Sequence, residues 1–320
     1  MNKLSEILEN VSTAAIAGHV NPDGDCVGSC MAVYLYLKEN YPQIQADVYL
    51  ENNKEEFEFL QCSDKILCDP QPQKQYDLLI LLDASSLDRI GVVGSCLENM
   101  KKVVSIDHHV TNTGIGDINH IEPNASATCE VLCGLMDHEK ISRACAEALY
   151  LGIIHDTGVF QYSCTSPRTL RMAAMLLEKG IDASWITDST FSMKTYVQNQ
   201  IMGRTLTESI MIMNGQCIIG IVRQKEMKFY GVEPKDLDGI VSHLRATRGV
   251  EVALFLYETA AQQFKVSMRS NGKVDVSKIA AVFGGGGHTR AAGCTLQGSV
   301  YDVINNITKY IEIQLKSGER

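Results

Sequence analysis

Residues 77–82 read Asp-Leu-Leu-Ile-Leu-Leu, and Asp83 follows them. Successive side chains of a strand point to opposite faces, so an unbroken aliphatic run has to be buried on both sides. That is the signature of a central strand in a parallel sheet. The run is the densest apolar stretch in the chain, yet far shorter than the ~20 residues a membrane-spanning helix needs. Around it the first half alternates strand-like and helix-like segments, as βαβ units do. Thr13 to Ala17, Asp47 to Leu50 and Val103 to Ile106 read as strands. Val27 to Leu37, Ser126 to Met136 and Ser142 to Ile154 read as helices, the last capped by Ser142. Ser166 and Pro167 open a further helix that runs to Glu178, with Gly180 just past its end.

After that the texture changes. Phe191 to Glu208 is a long, rather polar helical stretch, suited to joining two bodies. Beyond it come strands at Cys217 to Val222, Val250 to Tyr257 and Phe264 to Arg269. In the last of these Phe264, Val266 and Met268 take the core face, while Lys265, Ser267 and Arg269 take the other. The expected architecture is α/β. A doubly wound, mostly parallel sheet domain (residues 1–187) leads through a helical linker (188–205) to a smaller mixed α/β domain (206–320). The active site is expected in the cleft between the two domains.

With 320 residues and 45% hydrophobic content the chain has enough apolar material for two cores. Its net charge of −9 argues against gripping long nucleic acid through the phosphates, which takes a basic face. A short anionic substrate in a local cleft remains compatible. Glu6 and Glu9 interrupt the N-terminus, so no signal peptide is expected. Eleven cysteines without a CxxC pair read as buried free thiols, which points to a reducing cytoplasm.

Four segments put carboxylate or imidazole groups where a loop leaves a strand or helix. They are His19 with Asp23 and Asp25, then Asp83, then Asp107-His108-His109, then His155-Asp156. In open α/β sheets ligands gather at the carboxyl ends of the strands, so three of these sets share one edge; Asp156 joins only if the fold brings its helix end there. Asp23, Asp25, Asp83 and Asp156 together carry more negative charge than proton sharing relieves at neutral pH. Two divalent cations offset four carboxylates, and His19 and His108 complete the shells. A donor set of oxygen and nitrogen without thiolate suits Mn²⁺ or Mg²⁺, with the imidazoles favouring Mn²⁺. Pro22 and Gly24 suggest a tight loop aiming Asp23 and Asp25 at different ions, and Asp83 is the candidate bridge.

In order, these segments resemble the four motifs of the DHH phosphoesterase superfamily. Gly284 to Gly287 with His288, followed by Ala291-Ala292-Gly293, resembles the DHH-associated substrate-binding domain. The likeness covers essentially the whole chain and is strongest to the nanoRNase branch. It implies one ion on His19, Asp23 and Asp83, and a second on Asp25, Asp83, His108 and Asp156. It also implies that His109 faces the substrate phosphate and that Asp107 orients its neighbours. Co²⁺ is an expected substitute for Mn²⁺, as is Mg²⁺. Cys26 stands where a small residue is usual and His155 where an inert one is; neither removes a ligand.

The glycine run lacks every Cβ, so its amides can form an anion nest. With Arg269 and His288, the positions Gly285, Gly286 and Gly287 are the expected substrate contacts. The implied activity is hydrolysis of very short RNA to 5′-mononucleotides, together with removal of the 3′-phosphate of 3′-phosphoadenosine 5′-phosphate. A phosphodiesterase for cyclic or linear dinucleotides is the alternative within this chemistry, and a non-hydrolysing nucleotide sensor the alternative outside it. Short oligoribonucleotides and phosphorylated nucleotides are the expected partners, with no membrane, and a homodimer is compatible.

Overall fold

Six strands build the first sheet: β1 (Thr13–Ala17), β2 (Gln45–Tyr49), β3 (Ile66–Leu67), β4 (Leu78–Leu82), β5 (Val103–Asp107) and β6 (Ile118–Ile121). The structure is a computed structural model that describes residues 3–51, 55–69, 71 and 73–317. Every pairing in this sheet is parallel, in the order β3-β2-β1-β4-β5-β6. The chain therefore travels outward from β1 to β3 and restarts on the other side of β1. That reversal opens a crevice at the carboxyl ends of β1 and β4.

All five residues of β4 are buried, as the aliphatic run requires. Leu78, Ile80 and Leu82 face the larger core, whereas Leu79 and Leu81 face a smaller one with Ala15, Ala17 and Tyr49. Helices cover the first face. The second is closed by Ile90 and Val93, from short 3-10 turns between Leu87 and Asn99.

The Gly24–Asn40 helix starts three residues earlier than its apolar pattern suggests, because Asp23 caps it by accepting from the amides of Asp25 and Cys26. It packs against the Arg143–Asp156 helix so closely that a Cβ on Gly28 would lie 2.5 Å from the Ala148 carbonyl oxygen. The Ser142 cap and the Pro167–Glu178 helix match the sequence reading. β6, a half-exposed edge strand, gave no clear signal.

The chain divides into two compact units between Met193 and Lys194, so the stretch 188–205 is shared between them. One π-helical turn (Asp188–Ser192) ends the first unit. The Tyr196–Thr207 helix begins the second, since Ile201 is fully buried among Ile218, Val222 and Leu244. The second unit carries β7 (Ile210–Ile212), β8 (Cys217–Val222), β9 (Val252–Ala260), β10 (Gln263–Ser270), β11 (Gly286–His288) and β12 (Ala291–Gln297). They are ordered β11-β12-β10-β9-β8-β7, and only the β8–β9 pair is parallel. Phe264, Val266 and Met268 enter its core beside Val303, Ile307 and Ile311 of the Val300–Ser317 helix. All eleven cysteines are free. Among the described residues no helix is long and apolar enough to cross a membrane.

Candidate metal centre

Asp83 stands at the carboxyl end of β4 with φ +56°, a left-handed backbone that costs a non-glycine residue energy and is characteristic of functional sites. It is buried, and its two oxygens face different partners. Oδ2 lies 3.4 Å from His19 Nε2, whereas Oδ1 lies 3.6 Å from His108 Nε2 and 3.5 Å from His109 Nδ1.

On the Oδ2 side, His19 follows β1, and its Nδ1 lies 2.7 Å from the Val20 carbonyl oxygen. A carbonyl only accepts, so Nδ1 carries the proton and Nε2 is aimed at the carboxylates. Asp23 Oδ1 is 3.7 Å from that Nε2. Asp23 is a helix cap and Asp25 a first-turn residue, so the two are separated by helix geometry and not by the tight loop expected from Pro22 and Gly24.

On the Oδ1 side, Asp25 is fully buried and accepts from the amides of Thr128 (2.6 Å) and Cys129 (3.0 Å). These amides open the Thr128–Leu135 helix, whose dipole favours a carboxylate there. His108 Nε2 lies 3.1 Å from Asp156 Oδ2 and 4.0 Å from Asp25 Oδ2. Asp156 is the last residue of its helix, and the close packing of that helix on Gly24–Asn40 delivers it to the strand ends.

The electrostatics follow from crowding. Burial, then Asp83 and Asp156, push the Asp25 carboxyl well above its ordinary range. Burial also raises Asp156, to about 6, against the opposing pull of His108. Burial alone would lower His108, but Asp156 and Asp25 outweigh it and raise the imidazole to about 10. His19 moves far upward in the same way, burial being overcome by Asp23 and Asp83. Each shift recruits a proton to a site with too much negative charge, a role a divalent cation fills better.

Among the described residues, three groups have donor atoms all within 4.8 Å of one another: Asp83-Asp107-His108-His109, His19-Cys26-Asp83, and Asp25-His108-Asp156. Burial pushes the Cys26 thiol of the second group well up, so it stays protonated, and the carboxylates and imidazoles fit a divalent cation.

Asp107 is occupied differently. Its Oδ1 accepts from the amides of His108 (2.7 Å) and His109 (3.1 Å) and from His109 Nδ1 (2.7 Å). Its Oδ2 accepts from Asn112 Nδ2 at 2.8 Å. Burial works against the charge, but these bonds from His109 and Asn112 hold the carboxyl below its ordinary range. His155 Nε2 pairs with Thr190 Oγ1 at 3.1 Å, and its ring packs edge-on against Phe57 and Phe191.

Sequence reasoning missed Thr128 and Asn112. Thr128 donates from Oγ1 to Asp83 Oδ1 at 3.0 Å. Its only local signal is a polar residue at the start of a predicted helix.

In the second unit, Arg269 and His288 both lie opposite Ala291, on β10 and β11 flanking β12. Residues in one such row share a face, so these two side chains do. Part of the glycine run is a strand. Gly286 and Gly287 are paired in β11, and a Cβ on Gly285 would lie 2.2 Å from the Gly293 carbonyl oxygen. At Gly285 and Gly287 the missing side chains serve strand-to-strand approach, whereas a Cβ on Gly286 would meet nothing within 4 Å.

Residues 13–153 match the DHH family, N-terminal domain, and residues 214–317 match the DHHA1 domain. The chain is 32% identical over 306 residues to a bifunctional oligoribonuclease and PAP phosphatase NrnA of Thermus thermophilus, covering 93% of this chain and 89% of the relative. It is 30% identical to a protein of the same name from Mycoplasma genitalium, covering 92% of each. In fold it resembles the crystal structure of an exopolyphosphatase-related protein from Bacteroides fragilis, with a TM-score of 0.90, 24% identity, and coverage of 99% of this chain and 96% of that one.

Proposed function

The chain belongs to the DHH family, and from that membership we propose a two-metal phosphohydrolase. It degrades very short oligoribonucleotides to 5′-mononucleotides and removes the 3′-phosphate of 3′-phosphoadenosine 5′-phosphate. The relatives named for these two activities align over most of the chain. The observation that carries the reading is Asp83, which presents one oxygen to His19 and the other to His108.

His19, Asp23 and Asp83 hold one divalent cation; Asp25, Asp83, His108 and Asp156 hold the other. Mn²⁺ is the proposed ion, with Mg²⁺ or Co²⁺ as substitutes, because imidazole joins carboxylate in the donor set. When bound, such ions supply Lewis acidity and lower the pKa of water. The protein's own part is orientation. Asp107 accepts the Nδ1–H of His109, which fixes the ring and raises its affinity for a second proton, so the imidazolium Nε2–H donates to a phosphoryl oxygen of the substrate. Asn112 braces Asp107 from behind.

The second unit supplies substrate contacts through Arg269, Gly285, Gly286, Gly287 and His288. Substrates are short because a net charge of −9 opposes long polyanions. Eleven free thiols suit a reducing cytoplasm.

The test is purified protein with Mn²⁺ or Mg²⁺ against a panel: a labelled dinucleotide, five-nucleotide RNA, 3′-phosphoadenosine 5′-phosphate, pyrophosphate and cyclic di-AMP. Mononucleotide and phosphate release that disappear in Asp83→Ala support the reading. No product from any of these, with wild type and Asp83→Ala indistinguishable, rules it out.

A further inference from the structure

Thr128 is outside the proposed ligand set, yet it binds two of its carboxylates, Asp25 and the shared Asp83, both on the Oδ1 side. Its backbone N–H donates to Asp25 Oδ2 at 2.6 Å, and its hydroxyl donates to Asp83 Oδ1 at 3.0 Å. It is fully buried, so no water competes for either bond.

The residue sits on a rigid mount. It opens the Thr128–Leu135 helix, and the next amide, from Cys129, holds the other Asp25 oxygen at 3.0 Å. Two residues on, Glu130 Oε2 accepts from the Ser126 amide (3.1 Å), Ser126 Oγ (2.6 Å) and Thr169 Oγ1 (2.7 Å). Glu130 Oε1 lies 3.3 Å from Arg168 Nε, and Arg168 also pairs with Glu122. The helix start is thereby tied to the neighbouring Pro167–Glu178 helix.

We propose that Thr128 is a positioning residue that sets the spacing of the two cation sites. This rests on the two-metal reading above. A hydroxyl has a single proton to donate, and a carboxylate can only accept it. The last torsion of an aspartate is broad, so the carboxylate turns easily unless something holds it. Thr128 holds Asp83 through the hydroxyl and Asp25 through the backbone, so the orientations of the two carboxylates are locked to one residue. Asp83 keeps enough lone pairs to face two ions.

The test compares Thr128→Val, which removes only the hydroxyl's bond and keeps the shape, with Thr128→Ser, which restores the hydroxyl. Mn²⁺ titration by calorimetry gives affinity and stoichiometry, and low-temperature electron paramagnetic resonance reports whether two Mn²⁺ ions are spin-coupled. Thr128→Val is expected to stay folded by circular dichroism in EDTA, to lose the coupled signal, and to bind the second Mn²⁺ about 10–100-fold more weakly. Its kcat on a dinucleotide falls while KM stays within a few-fold. Thr128→Ser restores both the spectrum and kcat. Should Thr128→Val fail to fold, Thr128→Ala against Thr128→Ser makes the same comparison.

A coupled signal in wild type that is unchanged in the hydroxyl-less variant overturns the positioning role alone. So does equal damage in the serine variant. A wild type that binds no coupled pair overturns the two-metal reading and the role with it.

Discussion

Gly152 lies against Asp25: a Cβ on this glycine would come within 2.5 Å of Asp25 Oδ1 and 2.3 Å of Cys129 Sγ. Asp25 cannot withdraw, because the amides of Thr128 and Cys129 hold it in place. The helix crossing that brings Asp156 to the site is thus the same contact that seats Asp25. Gly152→Ala should destabilise the protein by about 1–3 kcal/mol, as overpacking in a dense core does. It should also weaken Mn²⁺ binding. Urea unfolding in EDTA and calorimetric titration measure the two effects, and unchanged metal affinity would contradict the link.

Removing metal should cost stability. Cations that bind the native cluster and not the unfolded chain stabilise by about 2.7 kcal/mol at 100-fold Kd. For a unit of this size that is on the order of 5–10 °C in Tm. Scans of the protein with Mn²⁺ and with EDTA should differ by such an amount. Asp83→Asn should abolish the difference while melting in EDTA at or above the wild-type temperature, since one crowded negative charge is gone.

Asp107→Asn should separate orientation from metal uptake. The amide presents N–H where Asp107 accepts, so either His109 Nδ1 or Asn112 Nδ2 loses its acceptor. The expected outcome is a loss of about 10–100-fold in kcat, as for other partners that orient a site's residues. The Mn²⁺-induced rise in Tm should be retained. Steady-state kinetics beside thermal scans check both, and a collapse of the metal response would place Asp107 among the ligands.

Arg269→Ala should raise KM for 3′-phosphoadenosine 5′-phosphate on the order of 10–100-fold, the value of a hydrogen bond to a charged group. kcat at saturation should stay within a few-fold, because Arg269 lies in the second unit and holds no cation. A fall in kcat at constant KM would argue against a binding role.

Gly285→Ala tests the reading of the glycine run. A methyl group there would meet the Gly293 carbonyl oxygen at 2.2 Å and the Cys294 Cβ at 2.6 Å, so β11 must lift from β12. A loss of about 1–3 kcal/mol is expected. Proteolysis confined to residues near 284–290 would locate the damage. Unchanged stability with lost substrate affinity would instead restore the anion nest.

Much of the fold was legible because periodicity is local. The aliphatic run became the fully buried β4, and the alternation from Phe264 to Met268 became a core-facing β10. The units divide inside the stretch 188–205, but the unit to which the polar helix there belongs was not legible. Whether a helix joins two bodies or belongs to one depends on which core takes its few buried side chains, here Ile201 and Thr205. The glycine run left two readings open for a related reason. The absence of Cβ atoms permits an anion nest and a close strand pairing equally, and the approaches of Gly285 to Gly293 and of Gly287 to Ala291 are visible only in the fold.

The chain's residue types already determined the chemistry available here: carboxylates and imidazoles at the exits of strands and helices, in numbers that demand compensating positive charge. Tertiary structure decided which of them meet. Asp25 reaches the Thr128 amide across 103 positions, and Asp83 reaches the Thr128 hydroxyl across 45. No local pattern encodes such distances, because they are set by how closely the Gly24–Asn40 and Arg143–Asp156 helices pack and by where the sheet reverses direction.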